Sequence, residues 1–138
     1  MKSKQSKGKK VSRLTLRRKL DRLTSLVVRI GAADKSGRVT CYTCPKRMHW
    51  KKAQAGHFQS RGKMSIRWDY ERNIRPQCGQ CNMRGGEQYR FARRLDKENG
   101  KGYALKVEQA GEKLYKYSTN ELILLVESLE NKLKKCPL

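Results

Sequence analysis

Four of the five cysteines fall in two pairs, Cys41-Tyr-Thr-Cys44 and Cys78-Gly-Gln-Cys81, a spacing suited to one tetrahedral zinc site. Each Cys-x-x-Cys places two sulfurs on a tight knuckle, and two knuckles from distant segments complete the shell. Paired cysteines can also form disulfides. The basic N-terminus is not followed by the apolar core of a secretory signal, however, which favours reduced thiolates in an intracellular protein. A four-thiolate shell leaves no open position for water, so this zinc is expected to be structural, contributing on the order of 10 kcal/mol to folding. Cys136 lies outside this scheme, near the C-terminus.

The segment between the knuckles is longer than a usual zinc-ribbon loop and must hold structure of its own. It contains Gln54-Ala55-Gly56-His57-Phe58, a strand-like run with one of the chain's two histidines, and then Glu71-Arg72-Asn73-Ile74-Arg75-Pro76-Gln77. Asn82 follows the second knuckle at once. This order, histidine, asparagine, asparagine around one zinc, resembles the HNH, or ββα-metal, nucleases that carry a zinc knuckle. The nearer likeness is to the NinG/Rap family of phage recombination proteins, through Cys-x-x-Cys, His49-Trp50-Lys51, Gln54-Ala-Gly-His57-Phe, Arg72-Asn73 and Gln77-Cys-x-x-Cys-Asn82. The Cys-x-x-Cys-Asn ending is also similar to the phage endonuclease VII type of junction resolvase. The resemblance spans about residues 38–98. It implies a divalent-metal nuclease acting on branched recombination DNA, working in the host cytoplasm if phage-encoded.

Phosphodiester hydrolysis needs a base to take a proton from the attacking water and a cation to neutralise charge on the phosphate. A neutral imidazole with its ordinary pKa of about 6.5 suits the first task, so His57 is assigned as general base. The amide oxygen of Asn82 is a hard ligand for Mg²⁺ or Mn²⁺. Asn73 is expected to brace the loop by hydrogen bonds to backbone. The commoner HNH pattern has an aspartate metal ligand before the histidine, where this chain has Gly56. Of the nearby carboxylates Asp69, Glu71 and Glu87, Glu87 is chosen to complete the catalytic metal site. The plainer readings are a core histidine, a turn asparagine and a helix-capping amide. His49, beside Trp50, reads as packing.

Charge points the same way. With 34 Lys+Arg against 12 Asp+Glu the formal net charge is +22, and cations of this density gain affinity by releasing counterions from nucleic-acid phosphates. Lys51, Lys52, Arg61, Lys63, Arg67, Arg72, Arg75 and Arg84 surround the motifs and suit phosphate contacts, which position a strand without reading its sequence. Any one of them also reads as solvated surface charge. Anionic membrane is the weaker partner, since no apolar run approaches the roughly 18 residues of a spanning helix. Two other functions remain open: a non-catalytic zinc-stabilised nucleic-acid-binding protein, and a junction-binding accessory that no longer cuts.

The elements that must position these residues follow from composition and period. Residues 1–10 are Lys- and Ser-rich and read as a disordered basic arm. From Ser12 the stripe Leu16, Leu20, Leu23, Val27, Ile30 predicts an amphipathic helix within 11–36, stopped near Gly31 and carrying Arg13, Arg17, Arg18, Arg22 and Arg29 on its other face. Residues 37–98 form the zinc-bound core, with strands at 38–40 and 53–58 and a helix from Cys78 to about Glu98 using Tyr89, Phe91, Ala92 and Leu95 as apolar positions. Residues 99–138 hold two helices, 103–116 and 119–135, the second opened by the Ser118-x-x-Glu121 capping box with Ile123, Val126, Leu129 and Leu133 facing inward. The expected fold is α+β, a small zinc-stabilised HNH-like core flanked by helices. The apolar stripes of the first and last helices suit an intramolecular core, with a homodimer as their alternative use.

Overall fold

The structure is a computed structural model that describes residues 11–136, so the expected basic arm at 1–10 lies outside the described residues. Helix α1, Arg13–Gly31, begins where the Ser12 side chain accepts from the Thr15 amide. That bond satisfies one of the donors a helix start leaves unpaired. Its stripe of Leu16, Leu20, Leu23 and Val27 is buried against Leu122, Val126 and Leu129 of the last helix and against Trp68. The two apolar stripes therefore meet within one chain.

That last helix runs Thr119–Lys134, and Ser118 and Glu121 bond reciprocally at its start, as a capping box requires. Ile123, read as inward-facing, is 39% exposed while Leu122 is buried. Leu122, Val126 and Leu129 lie on one seam, and Ile123 sits about 100° of helix rotation away from it.

The middle of the chain is built from two antiparallel hairpins. Strand β1, Arg38–Thr40, pairs with β2, Arg47–His49, and β3, Gln54–His57, pairs with β4, Ile74–Gln77. β2 is short with polar ends and β4 contains Pro76, features that mask a strand in sequence. Pro76 still uses its carbonyl, which accepts from the Tyr42 amide at 2.8 Å and ties the first knuckle to the second hairpin. A short helix α2, Tyr70–Asn73, leads into β4, and α3, Gly79–Met83, follows the second knuckle.

The single helix expected from Cys78 to about Glu98 is broken. Gly85, Gly86 and Glu87 have φ of 66°, 75° and 51°, so the chain turns before resuming as α4, Gln88–Asn99. Left-handed backbone cannot continue a right-handed helix. Tyr89, read as an apolar position, is 85% exposed, whereas Phe91 and Leu95 are buried. They form a second core with Tyr42, Phe58, Ile66, Ala104 and Val107, the last two from α5, Tyr103–Glu112. α5 stops short of the expected 116 because Lys113 is extended. With Thr119–Lys134 numbered α6, the fold is mixed α+β with two two-stranded sheets. Among the described residues no helix is long and apolar enough to cross a membrane.

Candidate metal centre and basic cleft

The four paired cysteines converge. Their sulfurs all lie within 4.8 Å of one another, and Cys44 Sγ and Cys78 Sγ are 3.8 Å apart. A tetrahedral site with Zn–S bonds of about 2.3 Å separates its sulfurs by about 3.8 Å, so the donor set and its spacing fit a metal such as zinc. The Cys78 amide donates to Cys41 Sγ at 3.2 Å and the Cys81 amide to Cys78 Sγ at 3.4 Å. Burial opposes ionising the thiols of Cys41, Cys44 and Cys81. For Cys41 the amides of Cys78 and Thr43 overcome it and bring the thiol to about 6. Cys81, buried among the other three sulfurs, is pushed up to about 12. A divalent cation at their centre relieves that mutual repulsion.

Beside the knuckles opens a cleft of about 860 Å³ between α1 and the β3–α3 wall. His57, Asn82, Arg61, Lys63 and Arg67 line it together with Asp21, Thr24, Ser25 and Arg29 of α1 and the Gly85–Gly86 turn. Strand pairing of His57 with Ile74 fixes the backbone of the histidine. Its Nε2 lies 2.9 Å from the Arg67 carbonyl, which can only accept, so Nε2 carries the proton and Nδ1 holds the free lone pair. Burial lowers the pKa of His57, keeping the imidazole neutral. Asn82 donates its Nδ2 to Gln54 Oε1 at 2.8 Å, leaving its own amide oxygen as an acceptor on the cleft wall.

Other expected site residues sit elsewhere. Asn73 is fully buried and does not line the cleft. Its Oδ1 accepts from the Gln59 amide at 2.7 Å, and its Nδ2 donates to the carbonyls of Gln59 and Ile66 at 2.9 and 3.3 Å. It pins the loop between β3 and α2. Glu87, chosen on the assumption of one continuous helix after Asn82, falls in the left-handed turn and is not a cleft residue. Arg72 pairs with Asp69 at 2.6 Å, and Arg75 donates to the Tyr70 and Ile74 carbonyls while lying over the Tyr42 ring. Lys51, Lys52 and Arg84 are exposed outside the cleft.

Three positions at or behind the cleft were assigned no role from the sequence. Asp21 accepts from Arg67 at 2.9 and 2.7 Å and from Trp68 Nε1 at 2.8 Å. Burial opposes its charge, yet these bonds prevail and hold the carboxyl below its usual range. By clamping Arg67 and Trp68, Asp21 steadies the carbonyl that orients His57. Its signal was available, since it is the one acid in the 19 residues of α1. Thr24 gave no signal. Gln77 donates to Thr43 Oγ1 at 2.9 Å, between the first cysteine pair, and to the Gly86 carbonyl at 2.8 Å on the cleft. A Cβ on Gly56 would come within 1.8 Å of Gln77 Oε1. The Gln77 amide therefore fills the space into which an aspartate at position 56 would begin to project.

No protein-family model, curated protein or solved structure matches the chain.

Proposed function

We propose that this protein is a metal-dependent, structure-selective DNA endonuclease of HNH type, cutting branched DNA in phage-type recombination as the likeness to the NinG/Rap family implies. The observation that carries the reading is His57, held neutral on a basic cleft with its proton on Nε2 and its lone pair on Nδ1. In that tautomer the imidazole can take a proton from a water attacking a phosphate in the cleft. Asn73 keeps the adjoining loop in register, and Asp21 keeps the Arg67 carbonyl in place for the Nε2 proton. Arg61 and Lys63 supply positive charge for the strand.

A bound Mg²⁺ or Mn²⁺ would neutralise charge on the phosphate and the leaving oxygen. The chain's ligand for it is Asn82 Oδ1. Asp21 is the only carboxylate among the cleft residues and is already engaged by Arg67 and Trp68. Phosphate oxygens and waters must fill the remaining positions, as is common for Mg²⁺, so the cation is expected to bind together with the DNA.

The same shortage of free carboxylates favours a second reading, a junction-binding protein that does not cut. The test is incubation of the zinc-loaded protein with a four-way junction, a duplex and a single strand, with Mg²⁺, Mn²⁺ or neither, beside His57→Ala and Asn82→Ala. Metal-dependent cleavage of the junction, abolished by His57→Ala with binding retained, supports the nuclease. Binding without cleavage in any metal assigns the accessory role, and cleavage that survives His57→Ala removes His57 as the base.

A further inference from the structure

α1 carries no motif, yet it forms one wall of the cleft with Asp21, Thr24, Ser25 and Arg29. Their offsets of three, four and eight residues place them along one face of the helix. Thr24 is only 2% exposed, and its hydroxyl has no hydrogen-bond partner. A threonine inside a helix commonly bonds back to the preceding turn. This one does not, and a buried hydroxyl without a partner costs stability that a valine of the same shape would not. Arg29 is also held ready. Its Nε donates to the Ser25 carbonyl at 3.3 Å and to Ser25 Oγ at 3.0 Å, its Nη1 donates to the Trp50 carbonyl at 3.3 Å, and its guanidinium lies 5.5 Å from the Trp50 ring centroid. All these acceptors are neutral, so its charge has no counter-charge in direct contact. Burial works against that charge.

We propose that the α1 wall is a phosphate-binding position, in which the Thr24 hydroxyl and the Arg29 guanidinium donate to non-bridging oxygens of a nucleic-acid backbone lying in the cleft. The inference rests on the reading that a nucleic-acid strand occupies this cleft. A phosphate supplies both missing partners at once, an acceptor for the orphaned hydroxyl and an anion for the arginine. From Asp21 to Arg29 the helix rises about 12 Å, which spans roughly three to four nucleotide steps at 3.4 Å each. Arg67 and His57 are linked to the Asp21 end. The phosphate held by Thr24 and Arg29 thus lies within about three to four nucleotide steps of the one beside His57. This wall sets affinity and register, whereas His57 performs the chemistry.

The experiment measures binding of a fluorescently labelled four-way DNA junction by anisotropy across a salt series, without added Mg²⁺ or Mn²⁺. Wild type is compared with Thr24→Val, Thr24→Ser and Arg29→Gln, each also melted thermally. Thr24→Val is expected to bind about three- to ten-fold more weakly at an unchanged salt slope, while melting at or above the wild-type temperature. Thr24→Ser restores binding. Arg29→Gln is expected to weaken binding about ten-fold and to reduce the slope of log K against log salt by about one. Wild-type affinity and slope in both Thr24→Val and Arg29→Gln overturn the inference, as does a Thr24→Val loss that only tracks a lower melting temperature. If the wild type cuts junctions and the variants bind normally, the nuclease reading survives and this one fails. If the wild type cuts nothing but the variants bind weakly, the phosphate position stands and the catalytic reading fails. A wild type that binds no junction overturns both.

Discussion

Around the knuckles, β1 and β2 are three residues each, and the buried side chains are Val39, Met48, Ala53 and three of the four sulfurs. Where α1 meets α6, eight buried side chains, among them Leu16, Leu20, Leu23, Trp68, Leu122 and Leu129, form a continuous apolar seam. Burying a leucine contributes roughly 1.5–3 kcal/mol, so the helix pair can be held by area alone. The knuckles bury fewer and smaller apolar side chains, and their four sulfurs could hold a metal that offsets the ordering of the loops. The cleft lies between these regions, with α1 as one wall and β3 and α3 as the other. Its two walls therefore answer to different perturbations.

The largest effect is expected from the metal. The purified protein should hold one equivalent of zinc, and removing it with a strong chelator, or by Cys78→Ser, should cost on the order of 10 kcal/mol. Hydrogen exchange is the discriminating readout. Amides of β1–β4 and α3 should lose protection before those of α1 and α6. Equal loss in both regions would mean that the metal holds the helix pair as well, and the contrast would fail.

Next comes the helix seam. Leu20 is fully buried at its centre, and Leu20→Ala should destabilise the zinc-loaded protein by about 2–5 kcal/mol in urea unfolding. Zinc affinity should be unchanged, because Leu20 lies in the helix seam and not among the residues packed around the sulfurs. A loss of zinc affinity with the leucine would show that the regions are not independent.

The contrast also explains which parts were legible in the sequence. The cysteine spacing and the period of α1 and α6 each encode one strong local rule: the sulfurs converge, and most of both stripes is buried, with Ile123 the exception. What failed depended on single residues or on distant partners. Tyr89 was read as an apolar position, but on α4 it lies two residues, about 200° of rotation, from Phe91 and faces out. β2 and β4 are strands only because β1 and β3 lie beside them, with no period of their own. In the cleft, His57 and Asn82 were marked by their place around the knuckles and do line one wall. Asp21 and Gln77 bond to segments far along the chain, and Thr24 stands on the cleft wall with its hydroxyl unpaired, so the role of each depends on neighbours that sequence order does not show.

A smaller effect tests how tightly the knuckles grip the cleft wall. Gly56→Ala places a Cβ against Gln77 Oε1 and should cost about 1–3 kcal/mol through overpacking. Gln77→Ala alone should also destabilise, since it removes the bonds to Thr43 and Gly86. The double variant should be more stable than the sum of the two losses, because each substitution removes the other's clash or contact. Additive losses in urea unfolding would show that the backbone yields freely there, and that Gly56 could accept a side chain without displacing Gln77.

The smallest effect is on titration, and it asks whether α1 influences the histidine across the cleft. The chain has two histidines, so the imidazole signals of His57 and His49 can be followed by NMR. Burial sets the folded pKa of His57 below its ordinary 6.5. Below pH 6.5 the unfolded chain therefore binds more protons at this residue. Its effect on stability is absent at higher pH and becomes a loss as pH falls from 6.5 toward the folded pKa. The acid limb of any His57-dependent cleavage should likewise lie below 6.5. Asp21 acts in the opposite direction, since its charge raises the pKa of His57. Asp21→Asn should move the His57 titration to still lower pH. It should also loosen Arg67, which the carboxylate holds through two of its nitrogens. A titration that stays in place while Arg67 loosens would confine the role of Asp21 to steadying the loop; one that moves would show that α1 reaches the base through charge as well as through position.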